Sequence, residues 1–346
     1  MNTSLYWEDV ETIAELEYSW DKFYEKTLLI AGASGMIGTF LVDVLMYRNK
    51  THNMKCKVIA VGKNSDKGYS RFQDYWTSPY FEFIPWDITT PYSSKIDNID
   101  YIIHAASNTH PIQYANFPVE TITTNVLGLK NLLDLTKEKS STRLLFLSSV
   151  EIYGENRGDV EKFSEKYCGY MDCNTLRAGY PDSKRLCEAF CQAYAKEWNI
   201  DFVTIRLARV FGSTMSEGDS KAIAQFIQKA IQKEDIILKS KGNQFYSYCY
   251  VADAVSGIVK VLLDGKCTYA YNIAGKECDM RLAEIAEYLA DISETKVIFQ
   301  IPENIEKMGY STATKALLDI SLAEELGYIS LYNIKDGLKR TIEILK

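Results

Sequence analysis

The sequence predicts an α/β protein: a doubly wound parallel Rossmann sheet with a smaller C-terminal α/β lobe. Short apolar segments alternate with helical segments over much of the chain, which is typical of a parallel sheet covered by helices on both faces. A glycine-rich turn joins the first predicted strand directly to the first predicted helix, as in doubly wound sheets. The 346 residues are enough for one large and one small domain.

The predicted elements follow a regular order as far as residue 207. Predicted strands are residues 28–31, 58–61, 81–84, 101–104, 144–147 and 202–207, and predicted helices include residues 36–45, 119–137 and 180–198. Beyond residue 208 the alternation is less regular, and helical segments are predicted near 222–233, 282–292 and 334–345. We therefore predict a helical lead-in (1–26), a Rossmann domain (27–207 with about 247–273) and a smaller lobe (about 208–246 with 274–346).

The charge balance and the cysteines exclude several classes of protein. Lys and Arg total 39, Asp and Glu total 46, and the charges are mixed along the chain, so neither nucleic acid nor a membrane is an expected partner. The acidic first 21 residues lack the apolar run of a signal peptide or a membrane span. The eight cysteines form no C-x-x-C pair, which indicates reduced thiols, no metal site and a cytoplasmic protein.

The glycine-rich turn has the spacing G-x-x-G-x-x-G. Gly32 permits a tight turn, Gly35 lets the backbone approach a pyrophosphate, and Gly38 allows the helix to pack closely on the strand. The helix N-terminus adds free amides and the positive end of the helix dipole. The predicted cofactor contacts in this turn are Gly32, Ser34, Gly35, Met36, Ile37 and Gly38.

The residue after the second strand bears on the choice of cofactor. An acidic residue at this place binds the ribose 2′-hydroxyl of NAD, whereas this chain has Lys63. Lys63 either attracts the 2′-phosphate of NADP or is simply solvated. The cofactor is therefore predicted to be NADP or NAD, with Lys63 favouring NADP. Asp87 and Ile88 end the third strand, where the adenine is expected to lie.

Tyr180 and Lys184 form a Y-x-x-x-K pair at the start of a predicted helix. Residues four apart lie on one helix face, so the ammonium can sit near the tyrosine and bind the cofactor ribose. Tyrosine ordinarily titrates at about pH 10. A nearby ammonium and an oxidised nicotinamide both favour the phenolate, so Tyr180 is predicted to accept a proton near neutral pH.

The fifth strand ends in serines followed by an acid. Ser149 can hold the reacting oxygen beside Tyr180, or it can be an ordinary hydrogen-bonded strand terminus. Glu151 is either a base that acts on a carbon next to a ketone or a solvated loop acid. The predicted catalytic set is therefore Ser149, Glu151, Tyr180 and Lys184.

These features and further motifs occur in one order along the chain. The motifs are the glycine turn, His104-Ala105-Ala106-Ser107, Asn125-Val126-Leu127-Gly128, Ser148-Ser149, Tyr180 with Lys184, Arg206-Leu207-Ala208-Arg209-Val210-Phe211-Gly212 and Tyr250-Val251-Ala252-Asp253. Together they resemble the extended short-chain dehydrogenase/reductases that modify nucleotide sugars. The resemblance covers about residues 27–345 and is more specific for the family than for the reaction.

The resemblance implies hydride transfer between a sugar carbon and a nicotinamide, followed by epimerisation, dehydration or decarboxylation. It implies that Ser149 and Tyr180 handle the sugar hydroxyl and that Lys184 supports both. It also implies a nucleotide-diphosphate sugar bound between the lobes, and a homodimer built on the long helix after the fourth strand and the Y-x-x-x-K helix. By the same resemblance, Ala105, Ala106, Ser107 and Asn125 contact the cofactor, and Asn108 contacts the substrate.

The sequence departs from the family pattern at the substrate side. Sugar 4,6-dehydratases have an Asp-Glu pair where this chain has Val150-Glu151, whereas UDP-glucuronate decarboxylases are similar to it in keeping the Glu. Tyr246 replaces a common arginine, and a tyrosine cannot form a charged bidentate clamp on phosphate. Arg209 replaces a common asparagine, and Lys221 occupies a place that is often basic. Arg209 and Lys221 either bind the diphosphate instead or are ordinary surface charges.

Three functions remain open from the sequence. The leading hypothesis is a nucleotide-sugar epimerase or related enzyme that oxidises and re-reduces the sugar with a retained cofactor. The alternative is a net NADPH-dependent reductase of a nucleotide-linked keto-sugar or ketose, which Lys63 favours. The third hypothesis is a non-catalytic dinucleotide sensor, against which the presence of both Tyr180 and Lys184 argues.

Overall fold

The computed structural model describes residues 3–92, 96, 98–109, 116–139, 142–300 and 313–346. Its strands are β1 (Thr27–Ala31), β2 (Lys57–Gly62), β3 (Phe81–Pro85), β4 (Tyr101–His104), β5 (Arg143–Ser149), β6 (Asp201–Leu207), β7 (Arg209–Phe211), β8 (Ile236–Leu238), β9 (Phe245–Tyr250), β10 (Ala270–Ile273), β11 (Asp279–Arg281), β12 (Val297–Phe299) and β13 (Lys315–Ala316). Seven of them form one sheet in the order β10-β6-β5-β4-β1-β2-β3. Every neighbouring pair in this sheet is parallel, which confirms the predicted doubly wound fold.

Helices cover both faces of this sheet. The helices are α1 (Ser4–Ala14), α2 (Met36–His52), α3 (Ser65–Arg71), α4 (Pro118–Glu138), α5 (Gly179–Trp198), α6 (Ala222–Gln232), α7 (Val251–Asp264), α8 (Leu282–Ser293), α9 (Ser321–Leu326) and α10 (Ile334–Leu345). Successive strand residues point to opposite faces. On β1, Leu28 and Ile30 therefore join the core with α2 and α7, whereas Leu29 and Ala31 join the core with α4 and α5. Within the described residues, no helix combines the length and the apolar sequence that crossing a membrane requires.

The remaining strands form two smaller sheets. In the first, β9 pairs with β7, β11 and β13; in the second, β8 pairs with β12. The chain returns to the large sheet through α7 and β10. The predicted boundary near residue 247 therefore falls inside β9, and α7 starts only at Val251. The apolar run of β9 resembles that of a buried parallel strand, so the sequence did not reveal which sheet it joins.

Helix α1 links the N-terminal segment to both parts of the chain. Tyr6 and Arg71 both contact the buried carboxylate of Asp43 on α2. Asp9, which is fully buried, accepts hydrogen bonds from the Tyr250 hydroxyl at 2.6 Å and from Arg340 Nε at 2.7 Å. The helix therefore connects α2 with β9 and α10 through paired, buried charges.

Candidate active site

The glycine turn lies at the carboxyl ends of the central strands, between β1 and α2. Gly32 has a φ of +86°, and a Cβ there would lie 2.6 Å from the Ala106 amide nitrogen. A Cβ on Gly38 would lie 2.5 Å from the Gly32 carbonyl oxygen. Only glycine fits either place, because the neighbouring atoms belong to the backbone and cannot move aside. The turn therefore brings its backbone directly against Ala105 and Ala106 after β4.

The start of α2 fits a pyrophosphate. Gly35 is its N-cap residue and offers no side chain to the first amides, so the amides of the first turn can bind an anion. Met36 and Ile37 form this first turn, and Ser34 precedes it beside Gly62 at the end of β2. The Met36 carbonyl accepts a hydrogen bond from Thr214 Oγ1 at 2.8 Å. The predicted contacts of the turn thus lie together around the first amides of α2.

Lys63 lies beside two acids. Its ammonium is 3.3 Å from Asp87 Oδ2 and 3.6 Å from Glu120 Oε1. Burial alone would raise the pKa of Asp87, but hydrogen bonds from Thr89 and Lys63 outweigh it and lower that pKa. Ile88 is buried next to Asp87. A cavity of about 490 Å³ opens here, lined by residues that include Lys63, Asp87, Phe117, Glu120 and Thr124. This is the place predicted for the adenosine end of the cofactor.

A chain of hydrogen bonds connects β4 with α5 through α4. Ser107 Oγ donates to Asn125 Oδ1 at 2.7 Å, Asn125 Nδ2 donates to Ser183 Oγ at 2.8 Å, and Ser183 Oγ donates to the Tyr180 carbonyl at 2.7 Å. Asn125 is fully buried, so this network fixes the strand end relative to the helix. Asn108 follows Ser107 at the same edge and is partly buried.

Ser149, Tyr180 and Lys184 meet at the carboxyl end of β5. The hydroxyl groups of Tyr180 and Ser149 are hydrogen-bonded. Lys184 Nζ donates to the Leu147 carbonyl at 2.8 Å and lies 5.9 Å from the centre of the Tyr180 ring. Since Nζ carries three donors, two remain for a ligand. The arrangement suits proton transfer between a bound hydroxyl and Tyr180.

In the protein without a ligand, burial is the largest influence on the pKa values of Tyr180 and Lys184. It raises the pKa of Tyr180 to about 12, although the hydrogen bond from Ser149 acts in the opposite direction. It lowers the pKa of Lys184 to about 8. The phenolate predicted near neutral pH depends on a bound oxidised nicotinamide as well as on Lys184, because burial by itself raises the pKa of Tyr180. Positive charge from a bound ligand has to lower the pKa of Tyr180.

Glu151 lies between two arginines. Its Oε2 is 2.9 Å from a terminal nitrogen of Arg177, and its Oε1 is 3.0 Å from a terminal nitrogen of Arg209. Its carboxylate is thus paired with an arginine through each of its two oxygens. Arg209 also stacks on Tyr246, with the guanidinium carbon 3.5 Å from the ring centre. The structure therefore joins three predicted substrate contacts, Glu151, Arg209 and Tyr246, in one cluster.

Arg177 is a site residue that the sequence reasoning missed. It belongs to the short 3₁₀ turn Leu176–Ala178 that leads into α5. Its spacing of three residues before Tyr180 and seven before Lys184 was the available signal, because such spacing places side chains on one helix face.

Lys221 stands apart from this cluster. Its ammonium pairs with Asp219 Oδ2 at 2.8 Å. Within the described residues it makes no hydrogen bond or ion pair with Arg209 or Tyr246. Its short sequence distance from Asp219 explains the local pairing.

Two of the other motifs hold the architecture together. Arg206 pairs with Glu188 on α5 at 2.6 Å and donates to the Tyr153 hydroxyl at 3.0 Å. The fully buried Asp253 accepts hydrogen bonds from the amides of Leu331 and Tyr332, which attaches α7 to the C-terminal segment. These motifs therefore serve packing between the elements that surround the site.

Comparisons with known proteins identify the family. The sequence model of the NAD dependent epimerase/dehydratase family matches residues 28–274. The chain is 30% identical over 320 residues to UDP-glucuronic acid decarboxylase 6 of Arabidopsis thaliana, covering 92% of this chain and 88% of that protein. It is 32% identical over 351 residues to UDP-glucuronic acid decarboxylase 1 of Xenopus tropicalis, covering 97% and 78%.

Solved structures share the fold. UDP-glucuronic acid 4-epimerase of Bacillus cereus superposes with a TM-score of 0.77 at 21% identity, covering 92% of this chain and 98% of that one. A dTDP-glucose 4,6-dehydratase of Streptomyces venezuelae superposes with a TM-score of 0.78 at 21% identity, covering 92% and 96%.

These relatives are named as decarboxylases, epimerases and dehydratases, which does not favour the net-reductase alternative. The family is NAD-dependent, and the comparisons give the preference for NADP no specific support. The extent of the family match, together with the 30% identity to a curated relative over most of its length, shows the family. The chain belongs to the NAD-dependent epimerase/dehydratase family and is a nucleotide-sugar-modifying enzyme of the extended short-chain dehydrogenase/reductase type.

Proposed function

We propose that this enzyme oxidises a nucleotide-linked hexuronic acid at C4 with bound NAD, releases its carboxylate as CO2 and reduces the resulting pentose ketone with the NADH formed in the oxidation. The observation that carries the proposal is the pair of arginines, Arg177 and Arg209, at Glu151 beside the hydroxyls of Ser149 and Tyr180. Guanidinium groups suit the recognition of a carboxylate. The names of the UDP-glucuronic acid decarboxylases to which the chain is similar support the same substrate class.

The residues of the chain divide the work in this proposal. The glycine turn and the first turn of α2 hold the cofactor pyrophosphate, and Lys184 binds its ribose. Bound NAD supplies the chemistry of reversible hydride transfer. Ser149 hydrogen-bonds the C4 hydroxyl, and Tyr180 accepts its proton as the ketone forms. The smaller lobe after residue 208 supplies Arg209 and binds the nucleotide-sugar side.

Decarboxylation follows from the position of the ketone. A C4 ketone lies β to the C6 carboxylate, so the bond between C5 and C6 breaks and its electron pair moves into the enolate. Protonation of that enolate gives the pentose ketone, which is then reduced. Each oxygen of Glu151 is engaged by one arginine, so Glu151 positions these guanidinium groups instead of abstracting the C5 proton.

The product that the enzyme forms from UDP-glucuronic acid tests the proposal. We expect UDP-pentose and CO2, detected by NMR and mass spectrometry, with no net accumulation or loss of reduced nicotinamide. A product of unchanged mass with inverted C4 would show epimerisation instead. Loss of water, or stoichiometric consumption of reduced cofactor, would contradict the proposal.

We infer that the retained cofactor is NAD and not NADP. The two carboxylates around Lys63 give this end of the site a net negative charge, which repels a 2′-phosphate. NAD at about a hundredfold excess over its Kd is expected to add about 2.7 kcal/mol to the free energy of unfolding. In a thermal-shift measurement we expect NADP at equal concentration to stabilise the protein less than NAD does. Glu120→Gln removes one of the two negative charges and is expected to reduce the difference between the stabilisation by NAD and that by NADP. A larger shift with NADP would contradict the inference.

We also infer a homodimer formed through α4 and α5. These helices pack side by side and expose Ile122, Leu127 and Leu186, which are 40%, 44% and 47% exposed. Light scattering of the wild-type protein is expected to give the mass of two chains. The double variant Leu127→Asp/Leu186→Asp is expected to give the mass of one chain. Ile298→Asp on β12, at a comparably exposed apolar residue, should leave the mass unchanged. A wild-type mass of one chain would contradict the inference.

We place the protein in the cytoplasm. All eight cysteines are free thiols, and five of them are buried. Free thiols fit a reducing compartment. Fractionation of the source cells is the measurement that checks this placement.

A further inference from the structure

Arg209 and Tyr246 form a stacked pair on neighbouring strands. In the parallel register of β7 and β9, Arg209 lies opposite Tyr248, and Tyr246 is two residues earlier on the same face. The guanidinium carbon of Arg209 lies 3.5 Å from the centre of the Tyr246 ring. The Tyr246 hydroxyl donates to the Ala313 carbonyl at 2.6 Å, and the side chain is buried. The ring is therefore fixed at both ends and forms a rigid platform for the guanidinium.

The guanidinium on this platform has a donor left for a ligand. One terminal nitrogen of Arg209 donates to Glu151 at 3.0 Å. The other terminal nitrogen, Nη1, is buried and has no hydrogen-bond partner within the described residues. A buried charged N–H without a partner is costly, so it indicates the place of a ligand atom. Arginine has donors only, which makes an anionic oxygen the fitting partner.

The position of this donor connects it with the reacting groups. Glu151, to which Arg209 is bonded, lies two residues after Ser149, which is hydrogen-bonded to Tyr180. The ring of Tyr246 prevents the guanidinium from turning away from Glu151, because stacking requires the plane of the guanidinium to stay over the ring.

We propose that Tyr246 is a positioning residue that holds Arg209 so that its buried N–H edge binds an anionic oxygen of the substrate. This oxygen belongs either to the diphosphate of the nucleotide or to the carboxylate of the sugar, and both offer the same chemistry to the guanidinium. The inference deepens the proposed function and rests on it. Tyr246 acts through Arg209 and does not itself bind the substrate.

Calorimetric titration of the NAD-loaded enzyme with UDP, UDP-glucose and UDP-glucuronic acid tests this role. Tyr246→Leu removes the ring and is expected to weaken binding by about tenfold or more, the effect of losing one hydrogen bond between charged groups. Tyr246→Phe keeps the ring and should recover most of that affinity. In turnover assays we expect Tyr246→Leu to raise KM much more than it lowers kcat. Because the Tyr246 ring is buried, the same substitution is expected to lower the thermal midpoint, so binding and turnover are measured well below that midpoint.

A matched control lies on the same strand. The ring of Phe245 lies next to a second arginine, Arg281, whose guanidinium carbon is 5.1 Å from the ring centre. Arg281 lies outside the cluster of Glu151, Arg209 and Tyr246. Phe245→Leu should leave the three affinities unchanged, because it removes the ring next to an arginine, Arg281, that lies outside the Glu151 cluster.

The three ligands distinguish the two sources of the oxygen. Weaker binding of all three ligands to Tyr246→Leu supports the proposal and assigns the oxygen to the diphosphate. Weaker binding of UDP-glucuronic acid alone supports it and assigns the oxygen to the carboxylate. Affinities that are unchanged in Tyr246→Leu, or that fall equally in Phe245→Leu, would overturn the proposed role of Tyr246 and leave the proposed function standing. Wild-type enzyme that binds none of the three ligands would overturn both this role and the proposed function.

Discussion

Tyr180→Phe is expected to lower kcat by about 10²–10⁴-fold while leaving the Kd for NAD close to that of the wild type. The substitution removes only the hydroxyl, which is the atom hydrogen-bonded to Ser149 and the proposed proton acceptor. The buried ring remains in place, so neither the glycine turn nor Lys184 is disturbed. Turnover is measured with UDP-glucuronic acid, and NAD binding by calorimetry.

The control for this prediction is a second tyrosine on the same helix. Tyr194 is also buried on α5, and its hydroxyl donates to Asp134 at 2.7 Å, far along the helix from Ser149. Tyr194→Phe should keep the wild-type kcat. If Tyr180→Phe also kept it, the assignment of Tyr180 as the proton acceptor would be wrong, whatever the substrate.

The parts of the site that the sequence predicted are those that depend on short stretches of chain. The glycine turn needs only its own spacing, because close backbone approaches at Gly32 and Gly38 require glycine at these two places between a strand and a helix. Tyr180 and Lys184 likewise share one helix face by their spacing alone. Parallel strands end at the same edge of a sheet, so the sequence predicts that the serines at the end of β5 lie near both the glycine turn and the Tyr180 helix.

The substrate side was less predictable because its contacts span long stretches of sequence. Glu151 meets Arg177 and Arg209, which lie 26 and 58 residues away, and no local pattern reports such a pairing. Its two sequence-based interpretations, a base or a solvated loop acid, named neither arginine as a partner. The same long-range packing places β9 in the small sheet and stacks Arg209 on Tyr246.

The ionisation of Tyr180 shows a second limit. The sequence predicts that an ammonium four residues away and an oxidised nicotinamide together lower the pKa of Tyr180, whereas burial of the phenol raises that pKa to about 12 in the protein alone. Burial depends on the whole fold, and it also lowers the pKa of Lys184 to about 8. A positively charged ligand next to the tyrosine opposes this effect of burial and favours its role as a proton acceptor.

Gly32→Ala is expected to lower the free energy of unfolding by about 3 kcal/mol and to abolish measurable NAD binding. Two costs combine at this position. The φ of +86° disfavours any residue with a Cβ, and the new Cβ would lie 2.6 Å from the Ala106 amide nitrogen. Relieving that contact moves β4 away from the turn and widens the cradle in which the pyrophosphate is expected to bind. Urea unfolding and NAD titration measure the two effects.

Gly158→Ala separates these two costs. Gly158 has nearly the same φ, +88°, but no heavy atom lies within 4 Å of a Cβ built there. It should therefore lose only the conformational share, about 1–2 kcal/mol, and bind NAD as the wild type does. The difference between the two variants then gives the cost of the contact with Ala106. The proposal that this turn binds the cofactor would be contradicted if both variants lost the same stability and Gly32→Ala still bound NAD. The close approach of Gly32 to Ala106 would then have no effect on NAD binding.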